Sequence, residues 1–253
     1  MNRVHLFEIE DQKWFPTFLR NYMTDFLQFL SNKTKIYQPI VNLLSEKIIK
    51  SGHQNIIDLA SGGGGGLLWL SGALKKNISG LHITLTDYYP NIAAFQQTQQ
   101  ESDIFSYETA SVDARNVPAH LKGFRTQFLS FHHFKPADAV QILQNAVDSK
   151  SPIAVFEAQD RSILSIVAMI FSPLSVLLTT PFIRPFQWGR LFFTYIIPLI
   201  PVFVLWDGLV SSFRTYSVRE MNDLIRQVAA HDDFEWSAGK EKNILYLIGL
   251  PKP

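Results

Sequence analysis

Five consecutive glycines, Gly62 to Gly66, most constrain what this chain of 253 residues can fold into. The run Asn55-Ile56-Ile57 before them predicts a buried strand, and Leu67-Leu68-Trp69-Leu70 after them predicts the start of a helix. Glycine costs roughly 0.5–1 kcal/mol relative to alanine where the backbone is fixed, so the run indicates a place where side chains would obstruct something. A strand, a glycine turn and a helix present backbone N–H groups and a helix N-terminus to a nucleotide-like ligand.

Composition excludes several classes of function. A net charge of +1 offers no basic excess for neutralising phosphates, so no nucleic-acid partner is predicted. The absence of cysteine excludes disulfides, thiolate metal sites and cysteine nucleophiles. Glu8, Glu10 and Asp11 interrupt the N-terminal stretch, so we predict no signal peptide and expect the protein in the cytoplasm.

Strand and helix patterns alternate along most of the chain, which predicts parallel strand pairing. Strands are predicted at 56–57, 82–86, 107–110, 126–130 and 153–157, and helices at 16–50 (in two parts), 92–100 and 136–148. Ser217-Val218-Arg219-Glu220 is a capping box that opens a further helix. Strands at 234–237 and 243–248 follow, and their short link, Ala238-Gly239-Lys240, predicts a hairpin with an antiparallel last strand. The predicted fold is α/β, a Rossmann-like doubly wound sheet of seven strands.

We predict a single domain over 1–253, with an N-terminal helical cap at 1–52 and an apolar helical insertion at 161–215 after the fifth strand. Within the insertion, 162–183 and 191–206 carry no charge. Three interpretations remain open, in this order of preference: a lid that covers the site and dips into the bilayer surface, a dimer interface or ordinary core, and a pair of membrane spans, which prolines inside both runs disfavour.

The glycine motif and the order of elements resemble those of the class I S-adenosylmethionine-dependent methyltransferases. The stretch from Asp58 to Gly64 stands where that family has an acidic residue and a Gly-x-Gly-x-Gly turn, with Ala60 in place of the first glycine. The resemblance implies S-adenosyl-L-methionine as cofactor. A looser resemblance to a bacterial subfamily rests on Trp14-Phe15-Pro16 and on the segment from Trp206 to Tyr216.

The resemblance also implies roles for residues at strand ends. Asp87 matches the acidic residue that holds the ribose hydroxyls, Asp113 matches the one near the adenine amino group, and Tyr88 would lie against adenine. Caps of a helix and of a loop are the alternatives for the two aspartates. The predicted cofactor-binding residues are Asp58, Ala60, Ser61, Gly62, Gly64, Asp87, Tyr88, Asp113, Ala114 and Ser130.

His132 and His133 follow the fourth predicted strand and are the candidate catalytic residues. Imidazole titrates near neutrality, which suits a general base that takes a proton from an oxygen or nitrogen nucleophile. The alternative is a hydrogen-bonded polar pair at a strand end. No third ligand stands at a convincing spacing, so no metal site is predicted. Glu157, Asp160 and Arg161 end the fifth strand, and the sequence does not choose between them.

The predicted function is S-adenosylmethionine-dependent methyl transfer to a hydrophobic small molecule or a lipid-like acceptor, such as a quinone-type phenol. The expected partners are that acceptor, the inner-membrane surface through 162–206, and a second copy in a homodimer. One alternative is a nicotinamide-dependent oxidoreductase, which shares the glycine turn, although the chain lacks a Tyr-x-x-x-Lys motif. The other is a non-catalytic, membrane-associated binding protein.

Overall fold

A seven-stranded sheet forms the centre of the protein, whose residues 2–252 are described by a computed structural model. The strand order is β3-β2-β1-β4-β5-β7-β6. The strands are β1 Asn55–Asp58, β2 His82–Leu85, β3 Phe105–Tyr107, β4 Phe124–Phe128, β5 Ile153–Glu157, β6 Phe234–Glu241 and β7 Ile244–Pro251. β1 to β5 pair in parallel, and β7 runs antiparallel to both β5 and β6. The predicted sheet with an antiparallel last strand is confirmed.

Helices cover both faces of this sheet. Within the described residues, the α-helices are α1 Thr17–Thr34, α2 Val41–Ser51, α3 Leu67–Leu74, α4 Ile92–Glu101, α5 Pro136–Asp148, α6 Ile163–Ile170, α7 Ser172–Thr179, α8 Trp188–Leu191, α9 Leu199–Arg214 and α10 Val218–Ile225. Apolar side chains of α5 and α10 fill the core on one face, and those of α2, α3 and α4 fill it on the other. The capping box at Ser217 opens α10 as predicted.

Two strands lie earlier in the chain than the sequence predicts. β3 ends at Tyr107, which pairs with Leu85, the last residue of β2, so the strand stops where its partner stops. β4 ends at Phe128 because Leu129 adopts a left-handed backbone conformation with φ of 51°. The residues at 108–110 and at 129–130, predicted as strand, therefore lie in loops at the edge of the sheet.

The C-terminal hairpin turns later than predicted. Both strands extend until Glu241 pairs with Ile244, so the turn is Lys242-Asn243, with Lys242 at φ of 53°. Gly239, taken from sequence as part of the turn, lies inside β6. A side chain there would collide with the Tyr246 hydroxyl, because its Cβ would lie 2.5 Å from that oxygen. This glycine is required by an aromatic ring that packs across the strand.

Helices α7 to α9 pack against α1 and form a small core outside the sheet, and α6 packs on α7 and α9. Phe15, Met23 and Phe26 contact Val176, Ile200 and other apolar side chains of these helices. The Arg190 guanidinium donates to the Asp25 carboxylate of α1 at 2.7 Å, and both groups are largely removed from water. The apolar segment is therefore anchored on the outer side of α1.

The opposite side of the same helices leaves many apolar side chains exposed. Ile163, Leu164, Trp188 and Ile196 each keep more than two thirds of their surface in solvent. No single helix in residues 2–252 is long and apolar enough to cross a membrane, whereas two helix pairs, bent by 41° and 78°, meet that test together by length and composition.

Replacing Asp25 by alanine should leave the Arg190 guanidinium buried without its carboxylate. We expect the free energy of unfolding, measured in urea, to fall by about 3–5 kcal/mol. The matched control is Asp223→Ala, which breaks an exposed pair with Arg226 and should cost less than about 1 kcal/mol. Equal losses in the two variants would contradict the anchoring role of the buried pair.

Candidate active site

The glycine loop joins β1 to α3 and lies at the carboxyl end of the parallel strands. Its backbone is held by hydrogen bonds from Ser61 N–H to the Thr86 carbonyl, at 2.8 Å, and from Gly64 N–H to the Ser61 carbonyl, at 2.7 Å. Ala60 adopts φ of 56° and Gly62 also φ of 56°, a left-handed conformation that suits glycine. Ala60 therefore carries a small backbone strain at the position where the related motif has a glycine.

The glycines serve two different purposes. A Cβ on Gly63 would lie 3.1 Å from the Thr24 carbonyl of α1, and one on Gly66 would lie 2.7 Å from the Tyr37 ring. Gly62, Gly63 and Gly65 line a cavity, whereas Gly64 faces the side chains of α1 and α4. Close packing of α1, and of Tyr37 after it, thus accounts for part of a run that the sequence analysis interprets as a place for a ligand.

Asp58 lies beneath the loop and holds it. Its carboxylate accepts hydrogen bonds from the hydroxyls of Ser61 and Thr126, both at 2.7 Å. Burial raises the pKa of Asp58 to about 7, against the effect of these two hydrogen bonds, and the nearby Asp87 adds to the rise. Asp58 is not among the residues that line the cavity, so its geometry supports a role in ordering the loop.

Asp87 closes the loop from the end of β2. One carboxylate oxygen accepts the Gly62 N–H at 2.7 Å, and the other accepts the Tyr89 N–H at 2.7 Å. Burial raises the pKa of Asp87, although both backbone hydrogen bonds oppose that rise. The two features that the sequence singles out, glycine turn and acidic strand end, are in direct contact.

A cavity of about 400 Å³ opens in front of this contact, within the size range of small-molecule sites. Of the residues predicted from sequence, those that line it are Ala60, Ser61, Gly62, Asp87, Tyr88, Asp113, Ala114, Ser130 and His133, and those that do not are Asp58, Gly64 and His132. The Ser130 hydroxyl is buried and has no hydrogen-bond partner among residues 2–252. That orphaned hydroxyl is free to bond a ligand.

Asp113 combines both roles that the sequence leaves open for it. It lines the cavity, and its carboxylate accepts hydrogen bonds from the Arg115 backbone N–H at 2.9 Å and from the Arg115 guanidinium at 2.8 Å. These hydrogen bonds lower the pKa of Asp113. Arg115 also reaches Asp138 of α5, so the loop after β3 is fixed to the neighbouring helix.

The lid expected from the apolar insertion does not form the cavity wall. Within the described chain, no residue of 162–206 lines the cavity; the outer wall comes instead from Glu10 and Asp11 and from Arg20, Thr24 and Leu27 of α1. The reason is that α1 packs directly on the glycine loop, and the insertion packs on the far side of α1.

The two histidines lie at different depths. His133 lines the cavity, whereas His132 lies behind it, only 2 % exposed, with its Nδ1 2.9 Å from Glu157 Oε2 and its backbone N–H bonded to Glu157 Oε1. Among the three residues that end the fifth strand, the structure thus selects Glu157 as a partner of the histidine pair.

Further buried charges surround this pair. We use the name His–Glu cluster for Glu8, His132, His133, Glu157 and Arg214. Glu8 is fully buried, and its carboxylate lies 3.0 Å from His133 Nδ1 and 3.1 Å from Arg214 Nη1. Arg214 also donates to the backbone carbonyls of His132 and His133. The cluster therefore joins the N-terminal segment, the end of β4 and α9.

Burial alone would lower the pKa of His133, but the carboxylates of Glu8 and Asp11 outweigh it and raise this pKa well above its ordinary value. The same contacts hold the pKa of Glu8 and of Asp11 low despite their burial. The raised pKa favours the protonated imidazole, which is a hydrogen-bond donor. That form disfavours the predicted role of general base, which requires a free ring nitrogen.

The N-terminal segment is the part of the site that sequence reasoning missed. The Asp207 carboxylate accepts the backbone N–H groups of Ile9, at 2.7 Å, and Glu10, at 3.1 Å. A signal was present in two places: the acidic residues Glu8, Glu10 and Asp11 close together near the N-terminus, and the segment from Trp206 to Tyr216, which supplies Asp207 and Arg214. Nothing in the sequence indicates that these two distant segments meet.

The raised pKa of Asp58 makes stability depend on pH. Because the folded pKa of about 7 lies above the unfolded value of 3.8, the folded state keeps the proton longer, and the free energy of unfolding should fall as pH rises from about 4 to about 7. Over this pH range, the loss of the Asp58 proton should lower the free energy of unfolding by about 4 kcal/mol. Urea unfolding at several pH values should show a shallower fall in Asp58→Asn than in the wild type. The exposed control Asp103→Asn should keep the wild-type slope, and equal slopes in all three proteins would contradict this assignment.

Neither a protein-family model nor a curated protein matches the chain, whereas solved structures match its fold. An O-methyltransferase family protein from Burkholderia thailandensis has a TM-score of 0.52 at 14 % identity, over 87 % of this chain and 58 % of that chain. Human N-acetylserotonin methyltransferase in complex with SAM has a TM-score of 0.53 at 10 % identity, over 90 % of this chain and 56 % of that chain. The plantazolicin methyltransferase BpumL in complex with SAH has a TM-score of 0.51 at 14 % identity, over 93 % of this chain and 97 % of that chain.

The chain thus spans little more than half the length of the first two proteins and nearly all of the third. At these identities the likeness concerns the fold. The strand order, the antiparallel β7 and the glycine turn at the end of β1 agree with it. The chain has the fold of the class I S-adenosylmethionine-dependent methyltransferases.

Proposed function

We propose that this protein transfers a methyl group from S-adenosylmethionine to a hydrophobic small molecule. The observation that carries the proposal is the 2.7 Å hydrogen bond between Gly62 N–H and Asp87 at the mouth of a cavity of about 400 Å³. A glycine backbone, which a ligand can approach closely, lies there beside a carboxylate that can bond ribose hydroxyls, and a nucleoside ligand uses both groups. Solved proteins of the same fold contain SAM or SAH, which supports the choice of cofactor.

The residues that line the cavity fit this cofactor. Asp87 is the proposed partner of the ribose hydroxyls, Tyr88 and Ala114 would contact adenine, and the unpartnered Ser130 hydroxyl would bond the amino-acid part. Asp58 orders the loop from below. The bound cofactor supplies a methyl group on a sulfonium, already activated for in-line displacement. The protein then has to hold the acceptor in line and exclude water, and needs no paired acid and base.

We assign His133, rather than His132, to the acceptor end of the cavity. His133 lines the cavity, whereas His132 is turned towards Glu157 behind it. Because the raised pKa of His133 favours the protonated imidazole, its proposed role is to donate a hydrogen bond that positions an acceptor oxygen or nitrogen. Leu27, Phe128 and Phe134 give the same cavity apolar walls, which supports a hydrophobic acceptor.

The test of the proposal is Gly62→Leu, assayed by calorimetry with S-adenosylmethionine and S-adenosylhomocysteine. A side chain at this cavity-lining position should weaken both affinities at least roughly tenfold, or about 1.4 kcal/mol. The matched control is Gly52→Leu, which imposes similar backbone strain at φ of 70° with open space around it and should leave both affinities unchanged. Binding of a nicotinamide cofactor, with none of S-adenosylmethionine, would favour the oxidoreductase instead.

We further propose that the exposed side of α6 to α9 lies on a membrane surface. No acidic residue occurs between 162 and 206, and the chain there carries only Arg184 and Arg190, of which Arg190 is buried. Trp188 and Tyr195 are exposed on this segment, and such amphipathic rings favour the interfacial region of a bilayer. A lipid-like acceptor would be met at this surface.

The double variant Ile163→Asp, Ile196→Asp should lose binding to vesicles of phosphatidylcholine and phosphatidylglycerol in a sedimentation assay, because charge on the apolar face opposes insertion. Ile49→Asp is the control, since Ile49 is exposed on α2, away from this face. Light scattering without vesicles tests the alternative, in which the apolar face forms a dimer. A dimer that only the double variant dissociates, with no vesicle binding by the wild type, would assign the face to self-association.

A further inference from the structure

We propose that the His–Glu cluster binds one divalent transition-metal cation through Glu8, His132 and His133. A ligand atom from each of these residues lies within 4.8 Å of the other two. The sequence gives no indication of this site, because Glu8 is far from the histidines along the chain and reaches them only through the N-terminal segment. The proposal does not depend on methyl transfer.

The spacing of the ligand atoms suits a small cation. His133 Nδ1 lies 3.0 Å from Glu8 Oε2, and His132 Nε2 lies 3.7 Å from Glu8 Oε1. Ligand atoms around a tetrahedral zinc ion with bonds of about 2.0–2.1 Å are about 3.3 Å apart. Two imidazole nitrogens and one carboxylate oxygen favour zinc and its neighbours over magnesium or calcium.

The surroundings of His132 are those of a metal ligand. Glu157 accepts the His132 backbone N–H at 3.0 Å and lies 2.9 Å from its Nδ1. A carboxylate on one ring nitrogen fixes the tautomer and orientation of the imidazole, and leaves the other nitrogen free for a metal. Here the free nitrogen, Nε2, faces Glu8.

Glu8 has one oxygen whose single polar neighbour is the other proposed ligand. Its Oε1 accepts the Ser211 hydroxyl at 3.1 Å and lies 3.1 Å from Arg214 Nη1. Its Oε2 lies 3.0 Å from His133 Nδ1 and has no other polar partner among the described residues, although the side chain is fully buried. A cation bound to His133 Nδ1 in place of its proton would keep this buried oxygen paired.

The charge balance points the same way. Glu8, Glu157 and Asp11 bring three carboxylates to this small volume. The Arg214 guanidinium and the His133 imidazole both contact Glu8 and Asp11, and His132 contacts Glu157. Buried charges need partners of opposite sign. A divalent ion that takes the place of the proton on His133 Nδ1 brings one further positive charge to the point where the carboxylates converge. Since His133 and Asp11 also line the cavity, the ion would border it.

The experiment uses the full chain, treated with EDTA and dialysed against zinc chloride, with bound metal measured by mass spectrometry and affinity by calorimetry. We expect one zinc ion per chain and a rise in melting temperature. His132→Ala and Glu8→Gln should lower the affinity at least tenfold, and Glu157→Gln by 10- to 100-fold. The control is His120→Ala, since His120 is exposed and outside the cluster, and it should bind like the wild type.

Two results would overturn the proposal: a wild type that retains no zinc after dialysis, or zinc binding that is unchanged in both His132→Ala and Glu8→Gln. Circular dichroism without metal identifies a variant that fails to fold. If both variants fail to fold, zinc retention by the wild type decides the matter. Binding of S-adenosylmethionine is measured separately on the metal-free protein. If S-adenosylmethionine does not bind, the proposed methyl transfer is rejected and the zinc result still stands.

Discussion

The hydrogen bond from Gly62 N–H to the Asp87 carboxylate, 2.7 Å long, is the contact on which the site depends. It joins the loop after β1 to the end of β2, and Asp58 supports the same loop from beneath through Ser61 and Thr126. Parallel strands bring their carboxyl ends to one edge of the sheet, so these polar groups converge without any long-range signal in the sequence. The cavity exists because these contacts fix the inner side of the loop to the sheet and leave its outer side open.

The second determinant is the N-terminal segment, which crosses α9 and ends in α1. Asp207 fixes its backbone, Arg214 pairs with its carboxylates, and the core formed by α1 and the insertion fixes the helix that follows. The result is a wall of the cavity built from residues that precede the sheet. No residue of the apolar insertion lines the cavity in the described part of the chain, so the insertion acts on the site through α1 and through Asp207 and Arg214 of α9.

Much of the fold follows from local pattern. The strand before the glycine run, the helix after it, the helix at Pro136 and the capping box at Ser217 are placed by periodicity and by capping chemistry, which operate over a few residues. The errors lie where tertiary contacts override local pattern. Gly239 lies in a strand because a tyrosine ring crosses it, and Gly66 is small because Tyr37 packs there.

The candidate site divides in the same way. The roles of three residues were predictable because each follows a predicted strand and the resemblance supplied the order of those strands. These residues are Gly62, Asp87 and Asp113. Glu8 and Arg214 were not, because their importance arises from a meeting of distant segments that no local pattern encodes. The division of the chain into a helical cap and an insertion stays a prediction.

The contact between Ile9 and Asp207 closes a loop across 198 residues. Closing so long a loop costs chain entropy, but that cost rises only slowly with the number of residues enclosed. Helix α1 reaches the glycine loop over a much shorter separation, since the Asn32 amide donates to the Gly65 carbonyl 33 residues away. Glu10 and Asp11 therefore take their places in the cavity wall through a link between two distant segments, whereas the part of the wall that α1 supplies has a local anchor.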